Sequence, residues 1–178
     1  MSPPEFSFTT TAEEVAAAFA NEITGKMVLL ITGTSIGGIG FEAARVIAKH
    51  ANLVIITGYN GERQATQMIC RKLLLRKKSP LLTFALSFST SSLTAVRQAA
   101  AEGQRLSRPI HVLIHNAAAP IGPFKLTVDH LDTQMATSHF GPFLFTKLIS
   151  PRLLAAETTS YTPRVILSQV PRTHFARA

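Results

Sequence analysis

The chain is poor in several residue types, and each shortage excludes a class of protein. It has one cysteine, Cys70, in 178 residues. A single thiol cannot form an internal disulfide, and Cys70 has no CxxC partner, so we expect a buried or half-buried helix residue and no metal site. Acidic residues number 10 against 18 lysines and arginines, which gives a formal net charge of +8. This excess raises the question of phosphate or nucleic-acid binding.

Long apolar runs are missing as well. No stretch reaches the ~18 uninterrupted apolar residues that a membrane-spanning helix needs. The amino-terminal segment contains acidic residues and lacks a basic region followed by an apolar core, so it does not resemble a secretory signal. These observations predict a soluble, cytoplasmic protein without a membrane span.

The densest run of positive charge does not favour nucleic-acid recognition. It contains Arg71, Lys72, Arg76, Lys77 and Lys78. The run lies at the end of a predicted helix, where cations complement the helix dipole and face water. No recognition helix, zinc-ligand pattern or aromatic RNA signature accompanies it. A solvated helix end is therefore expected, with an anion-binding or nucleic-acid-binding patch as the alternative.

A glycine-rich turn follows directly after an apolar run, in KMVLLITGTSIGGIG from Lys26 to Gly40. Gly33 and Gly37 permit a sharp turn, Gly38 allows close approach of a pyrophosphate, and Gly40 allows the next helix to pack closely. The N–H groups of that helix would point at the anion. The predicted phosphate-binding residues are Gly33, Thr34, Ser35, Gly38, Ile39 and Gly40. A tight turn without a ligand is the alternative, and the lack of a following Lys-Ser/Thr pair disfavours an NTPase loop.

Short apolar runs alternate with helical periodicity along the rest of the chain. The predicted strands are MVLLIT, LVIIT from Leu53, LLTFAL from Leu81, HVLIHN from His111 and RVIL from Arg164. The predicted helices run from Ile39, from Asn60 to Arg76, from Ser91 to Leu106, and from Val128 to Ala155 with an interruption at Gly141-Pro142. Strands without polar alternation are buried on both faces. The pattern predicts an α/β, Rossmann-type doubly wound parallel sheet that stops after about five strands.

The predicted organisation is one domain with short additions at its ends. Residues 1–24 form a leader whose helix, Thr11 to Glu22, begins with a capping-box spacing. In that box Thr10 or Thr11 is followed three residues later by Glu13 or Glu14. Residues 25–170 form a nucleotide-binding domain, and residues 171–178 form a tail.

Six landmarks occur in the order found in one family: TGTSIGGIG, LVIITGYN, FSTSSLTAVRQAA, HVLIHNAAAP, TSHFGPFLFTKLISPRLL and PRVILS. From Gly25 to Ser168 the chain therefore resembles the short-chain dehydrogenase/reductase family, especially fungal members with an extra glycine in the turn. The resemblance implies an oxidoreductase that uses NADP(H) or NAD(H) on an alcohol or carbonyl substrate. Since the chain stops just after its fifth strand, we expect a member shortened at its carboxyl end.

The resemblance also implies which residues contact the coenzyme. Tyr59 and Asn60 stand where the family often has an arginine and an asparagine after the second strand, and Tyr59 could stack on adenine. No acidic residue ends this strand to bind the ribose hydroxyls, so NADP(H) is favoured over NAD(H). Ser89 stands where the family has an aspartate that orients the adenine amine.

The fourth landmark corresponds to the family motif that lies against the coenzyme. Its predicted coenzyme-wall residues are Asn116, Ala117 and Ala118. His115 replaces the usual first asparagine of this motif, and we expect it to be a hydrogen-bonded structural residue.

Chemistry in this family needs an asparagine, a serine, a tyrosine and a lysine four residues after that tyrosine. Ser138 stands at the asparagine position and Ser168 is the nearest candidate for the serine, although strict counting gives Gln169 or Val170. Neither tyrosine of the chain, Tyr59 or Tyr161, has a lysine four residues later. Such a pair would lower the pKa of the phenol from one side of a helix.

Two further readings of function follow from these departures. The first is a nucleotide-binding module without turnover, which could pair with a complete relative through an uncovered fifth strand. The second is an anion or nucleic-acid binder that uses the basic helix end. The expected partners are a small alcohol or ketone and a second copy or a complete relative, with nucleic acid disfavoured.

Overall fold

The computed structural model describes residues 4–31, 38–58, 84–87, 89–118 and 122–168. Within them, strands β1 to β5 are Met27–Ile31, Leu53–Gly58, Phe84–Ser87, Val112–His115 and Arg164–Leu167. Helices α1 to α6 are Ala12–Ala18, Ala20–Ile23, Ile39–Ile47, Leu93–Gln104, Thr133–Met135 and Gly141–Leu154, with a π-helical segment, Ala136–Phe140, before α6. The predicted helix from Asn60 to Arg76, the basic run at 71–78, Cys70 and the tail lie outside the described residues.

The five strands form one parallel sheet in the order β3-β2-β1-β4-β5. The chain adds strands on one side of β1 and then returns to add β4 and β5 on the other. This is the doubly wound arrangement, so the predicted fold class is confirmed. The reversal lies between β1 and β4, where open α/β sheets bind their ligands.

Two apolar cores cover the two faces of the sheet. Ile55 and Leu113 belong to one core together with Phe145 of α6 and residues of α4. Val54, the neighbour of Ile55, belongs to the other core with Ala44 of α3. Because successive strand residues point to opposite faces, a continuous apolar run supplies both cores at once.

Strand β5 departs from this pattern. Its residues Val165, Ile166 and Leu167 are exposed, although the sequence predicts strands buried on both faces. Exposed apolar rings also occur at Phe140 and Phe143, whereas Phe145 is fully buried. Within the described residues, no helix is long and apolar enough to cross a membrane.

The leader begins as predicted and then divides. Thr11 caps α1: its hydroxyl accepts from the Glu14 amide, and Glu14 accepts from the Thr11 amide at 2.7 Å, so this pair makes the capping box. The predicted single helix from Thr11 to Glu22 is wrong in its continuity: Phe19 has φ −106° and ψ 18° and separates α1 from α2, which is helical again from Ala20. The ring of Phe19 packs against Phe6 at a centroid distance of 6.0 Å.

The predicted long helix begins later than Val128. The chain makes an isolated bridge between Leu126 and Asp132, and His130 has a positive φ of 58°, so helix starts only after Asp132. The Asp132 side chain accepts from the Met135 amide at 2.9 Å and caps that start. A short polar side chain that caps backbone N–H groups favours helix ends over helix interiors.

The described chain does not show the expected interruption of the helix at Gly141-Pro142. Instead, the π-helical segment Ala136–Phe140 lies directly before Gly141. The Gly141 amide donates to the carbonyl of Ala136, five residues earlier. Pro142 has no amide to continue the ladder, and its ring would crowd the carbonyl four residues before it. The wider turn accommodates the proline, so α6 continues through this position.

A second proline, Pro151, lies inside α6. A side chain supplies the hydrogen bond that its missing amide cannot make. Pro151 cannot donate to the carbonyl of Lys147, and the Ser150 hydroxyl donates there instead at 2.9 Å. The carbonyl of Leu148 accepts from the Gln104 side chain of α4. The hydrogen bond that Pro151 removes is therefore replaced locally by the Ser150 hydroxyl, and Gln104 ties the same turn to α4.

Candidate coenzyme site

The predicted site residues follow the carboxyl ends of the strands. Ile31 at the end of β1 is in register with Thr57 of β2 and His115 of β4, and His115 is in register with Leu167 of β5. All strands run in the same direction, so their carboxyl ends lie at one edge of the sheet. The predicted coenzyme residues and Ser168 belong to those segments.

The amino end of α3 is open to a ligand. Gly38 precedes this helix with φ −78° and ψ 157°, and in the described chain no side chain caps the helix there. Ile39 is 75% exposed, while Gly40 is buried on the sheet side. Uncapped amides and the positive end of the helix dipole suit an anion. Gly33, Thr34 and Ser35 lie outside the described residues.

The adenine side of the predicted site is described only in part. Ser89 is half-buried after β3, and its hydroxyl lies 2.7 Å from the hydroxyl of Ser91. It also accepts from the Ser91 amide at 3.3 Å, which makes a local serine turn. Tyr59 and Asn60 lie outside the described residues.

The segment after Ser89 touches the start of α6 very closely. A Cβ atom built on Gly141 would lie 2.2 Å from the carbonyl oxygen of Thr90 and 2.9 Å from that of Ala136. Only glycine fits this contact without moving backbone. The contact joins the loop after β3 to the π-helical segment, which contains Ser138.

The two serines that were predicted as catalytic lie on different elements. Ser168 is exposed after β5, and its amide donates to the carbonyl of His115 at 2.8 Å. Ser138 is exposed in the π segment, at the end of α6 that faces the carboxyl edge. Both therefore lie at the carboxyl edge of the sheet, which the predicted coenzyme residues follow in the sequence.

His115 is buried under α6, in agreement with its expected structural role. It is 4% exposed, and its Nε2 lies 2.8 Å from the hydroxyl of Thr146. Within the described chain, its Nδ1 atom is buried without a hydrogen-bond partner. Burial lowers the pKa of His115 to about 4, so the ring is neutral at physiological pH.

The segment Asn116, Ala117 and Ala118 continues from His115 without regular structure. Asn116 and Ala117 are half-buried, and Ala118 is exposed. These residues border the reversal point between β1 and β4.

Tyr161 lies at the opposite edge of the sheet from the predicted site. Its hydroxyl donates to the carbonyl of His111 at 3.0 Å, just before β4, and the ammonium of Lys26 lies 3.8 Å from its ring centroid. Burial raises the pKa of the Tyr161 phenol, which is opposite to the direction needed in a proton donor activated by lysine.

Sequence reasoning missed Asp129. Its carboxylate accepts from the Leu93 amide at 2.8 Å and so binds the first turn of α4 from the loop after β4. Ser92 caps the same helix by accepting from the Ala95 amide. An acidic residue in a segment predicted to be helical gave no signal for this long-range contact.

A comparison with known proteins gives the family of the chain. A model of the short chain dehydrogenases matches residues 27–160, which include β1 to β4 and the reversal point. The chain belongs to the short-chain dehydrogenase family. The match covers the glycine-rich turn, the segment after β4 and α6, so the resemblance inferred from the six landmarks is confirmed.

Curated relatives and a solved structure agree with this membership. Oxidoreductase fscI of Fusarium equiseti is 31% identical over 90% of this chain and 62% of its own. Short-chain dehydrogenase TIC 32 A, chloroplastic, of Brassica napus is 30% identical over 93% of this chain and 50% of its own. The Pseudomonas aeruginosa RhlG/NADP complex has a TM-score of 0.62 and 23% identity over 81% of this chain and 54% of its own. This chain thus spans about half the length of the relatives it matches.

Proposed function

We propose that this short-chain dehydrogenase binds a nicotinamide dinucleotide across the carboxyl ends of β1 and β4 and acts as an oxidoreductase on an alcohol or carbonyl substrate. The observation that carries the proposal is the uncapped start of α3 at Gly38, beside the reversal point of the sheet. The diphosphate would lie on the amides of Ile39 and Gly40, and adenine would lie near Ser89. Asn116 and Ala117 would border the nicotinamide.

NADP(H) is proposed over NAD(H). The chain has a formal net charge of +8, which favours the more anionic coenzyme. The solved Pseudomonas aeruginosa relative is a complex with NADP. Gly58 at the end of β2 is followed by a tyrosine rather than an acidic residue that would repel the 2′-phosphate.

Ser138 and Ser168 are proposed to contact the substrate. Both serines are exposed at the carboxyl edge, and each hydroxyl could donate to a carbonyl or alcohol oxygen or accept from an alcohol O–H. The bound coenzyme would supply hydride to a carbonyl substrate in its reduced form or take hydride from an alcohol in its oxidised form. The segments after β4 and β5 would orient the substrate beside it. A positioned acid or base contributes on the order of 10²–10⁴ in rate, and the chain holds no tyrosine with a lysine four residues later. Slow turnover is therefore expected.

The remaining parts of the proposal concern organisation. Residues 25–170 would form the coenzyme-binding domain, with residues 1–24 as its leader and 171–178 as a tail. The exposed β5 would contact a second copy or a longer relative. The cytoplasm is the proposed location, although the relative from Brassica napus is named as chloroplastic.

Binding and turnover are tested separately. Calorimetry with NADPH and NADH should give binding to the purified chain, with the lower Kd for NADPH. Gly38→Val should weaken NADPH binding at least about tenfold, because extended backbone tolerates valine while its side chain would obstruct a diphosphate. Gly103→Ala, on the far end of α4, is the matched control and should bind as the parent does.

Absence of binding by the parent chain would refute the proposal. Binding without NADPH oxidation in the presence of a panel of aldehydes and ketones would instead support the alternative, a nucleotide-binding protein without turnover. Binding to duplex nucleic acid that weakens steeply with salt would support the anion-binder reading.

A further inference from the structure

Four charged side chains join the leader to α3: Glu13, Glu42, Arg45 and Lys49. Arg45 of α3 contacts Glu13 of α1 and also forms a two-pronged pair with Glu42, one prong being Nε to Oε2 at 2.8 Å. Lys49 adds a contact to Glu13 at 3.2 Å. Two carboxylates and two cations make up this ion-pair cluster, and their formal charges cancel.

Glu42, a member of the ion-pair cluster, belongs to the helix turn that carries the proposed diphosphate site. Glu42 is in the first turn of α3, and its amide donates to the Gly38 carbonyl at 3.1 Å. A free carboxylate there would stabilise the empty helix but repel an incoming diphosphate, since both anions would compete for the same positive helix end. A cation paired with the Glu42 carboxylate would remove this repulsion.

Arg45 is the cation that pairs with Glu42. Its guanidinium binds both oxygens of Glu42, and the Glu13 carboxylate from the leader holds it on the far side. These hydrogen bonds lower the pKa of Glu13 to about 2, and Arg45 also lowers the pKa of Glu42. The carboxylates therefore stay ionised and paired across the physiological range.

We propose that Arg45 is a positioning residue for coenzyme binding: it neutralises Glu42 beside the diphosphate site, and Glu13 of the leader holds it there. This inference rests on the proposed function, because it concerns the affinity of the same site. Arg45 would act through Glu42, without itself contacting the coenzyme.

The test is a double-mutant cycle with NADPH as the probe, measured by calorimetry on the full chain. Arg45→Gln should raise Kd about three- to tenfold, the effect expected of an unpaired charge in a first helical turn facing a divalent diphosphate. Glu42→Gln alone should bind as tightly as the parent or tighter. The double variant Arg45→Gln/Glu42→Gln should return to within about twofold of the parent.

Lys49→Gln is the matched control. Within the described residues Lys49 forms an ion pair with Glu13 and none with Glu42, on which it acts only by a Coulombic attraction weaker than the effect of Arg45, so the Kd should stay within about twofold of the parent. The Arg45→Gln effect should also shrink as salt is raised, since screening weakens repulsion. A purely structural role would leave the double variant as weak as Arg45→Gln and the effect insensitive to salt.

The outcomes separate the two proposals. If the parent binds no NADPH, the proposed function fails. If the parent binds but Arg45→Gln equals it, or if removing Glu42 gives no rescue, only the role of Arg45 is overturned. Should Arg45→Gln not fold, weaker binding by Glu42→Gln alone would overturn the inference.

Discussion

Replacing Gly141 with alanine should destabilise the fold strongly. The added methyl group would lie 2.2 Å from one backbone oxygen and 2.9 Å from another, so backbone must move on both sides. Overpacking of this kind typically costs ~1–3 kcal/mol and occasionally more. With two rigid backbone neighbours we expect a gross cost above that range, about 3–4 kcal/mol, and the ~1 kcal/mol that alanine gains over glycine in a helix leaves a net loss of about 2–3 kcal/mol.

Gly103→Ala is the matched control for this prediction. Its added methyl group would meet the Cδ1 atom of Ile149 at 2.7 Å, which is the end of a side chain that can rotate. The cost of that rotation and the gain in helix propensity should nearly cancel, leaving a change within ~1 kcal/mol. Both substitutions place the same methyl group on a helix, so the comparison isolates what that group meets.

Urea unfolding followed by far-ultraviolet circular dichroism measures both variants. With a slope of roughly 2 kcal/mol per molar urea, the midpoint for Gly141→Ala should fall by about 1 M or more, and that for Gly103→Ala should barely move. Equal midpoints for the two variants would refute the claim that the Thr90 carbonyl excludes a side chain at position 141.

The remaining predictions use the same unfolding assay. Folded His115 resists protonation until about pH 4, whereas an unfolded histidine takes a proton near 6.5. Unfolding therefore binds a proton, and stability should fall by about 3 kcal/mol as pH drops across that window. His115→Asn should flatten this slope, and an unchanged slope would contradict it. Asp129→Ala should cost about 1 kcal/mol by removing the acceptor of the Leu93 amide, with most of the loss recovered in Asp129→Asn. Ser150→Ala should cost about 0.5–1 kcal/mol, because the Lys147 carbonyl loses its donor beside Pro151; a variant as stable as the parent would show that water replaces the hydroxyl.

The sheet and its direction could be read from local pattern. Apolar runs such as the one around Val54 and Ile55 lack polar alternation, which requires burial on both faces and therefore helices on both sides. The capping box at Thr11 could also be predicted from the sequence, because it depends on two residues three positions apart. The glycines before α3 predict a phosphate site in the same local way, because the spacing of glycines after a strand and before a helix is a short-range pattern.

Contacts between segments far apart in the chain could not be predicted from local sequence patterns. Asp129 caps a helix 36 residues earlier in the chain, and Gly141 is required by a carbonyl that belongs to Thr90. The pairing of Glu13 with Arg45 links the leader to α3 only after both helices have formed and packed.

The amino-acid order by itself determined the alternation of strands and helices and the family, because each is recognised from neighbours within a few residues. The tertiary structure alone decided that Tyr161 lies at the edge opposite Ser168, that His115 is buried and neutral, and that β5 remains exposed. These properties depend on which elements pack together, and the free energy of burial and long-range hydrogen bonding is not encoded in any single segment.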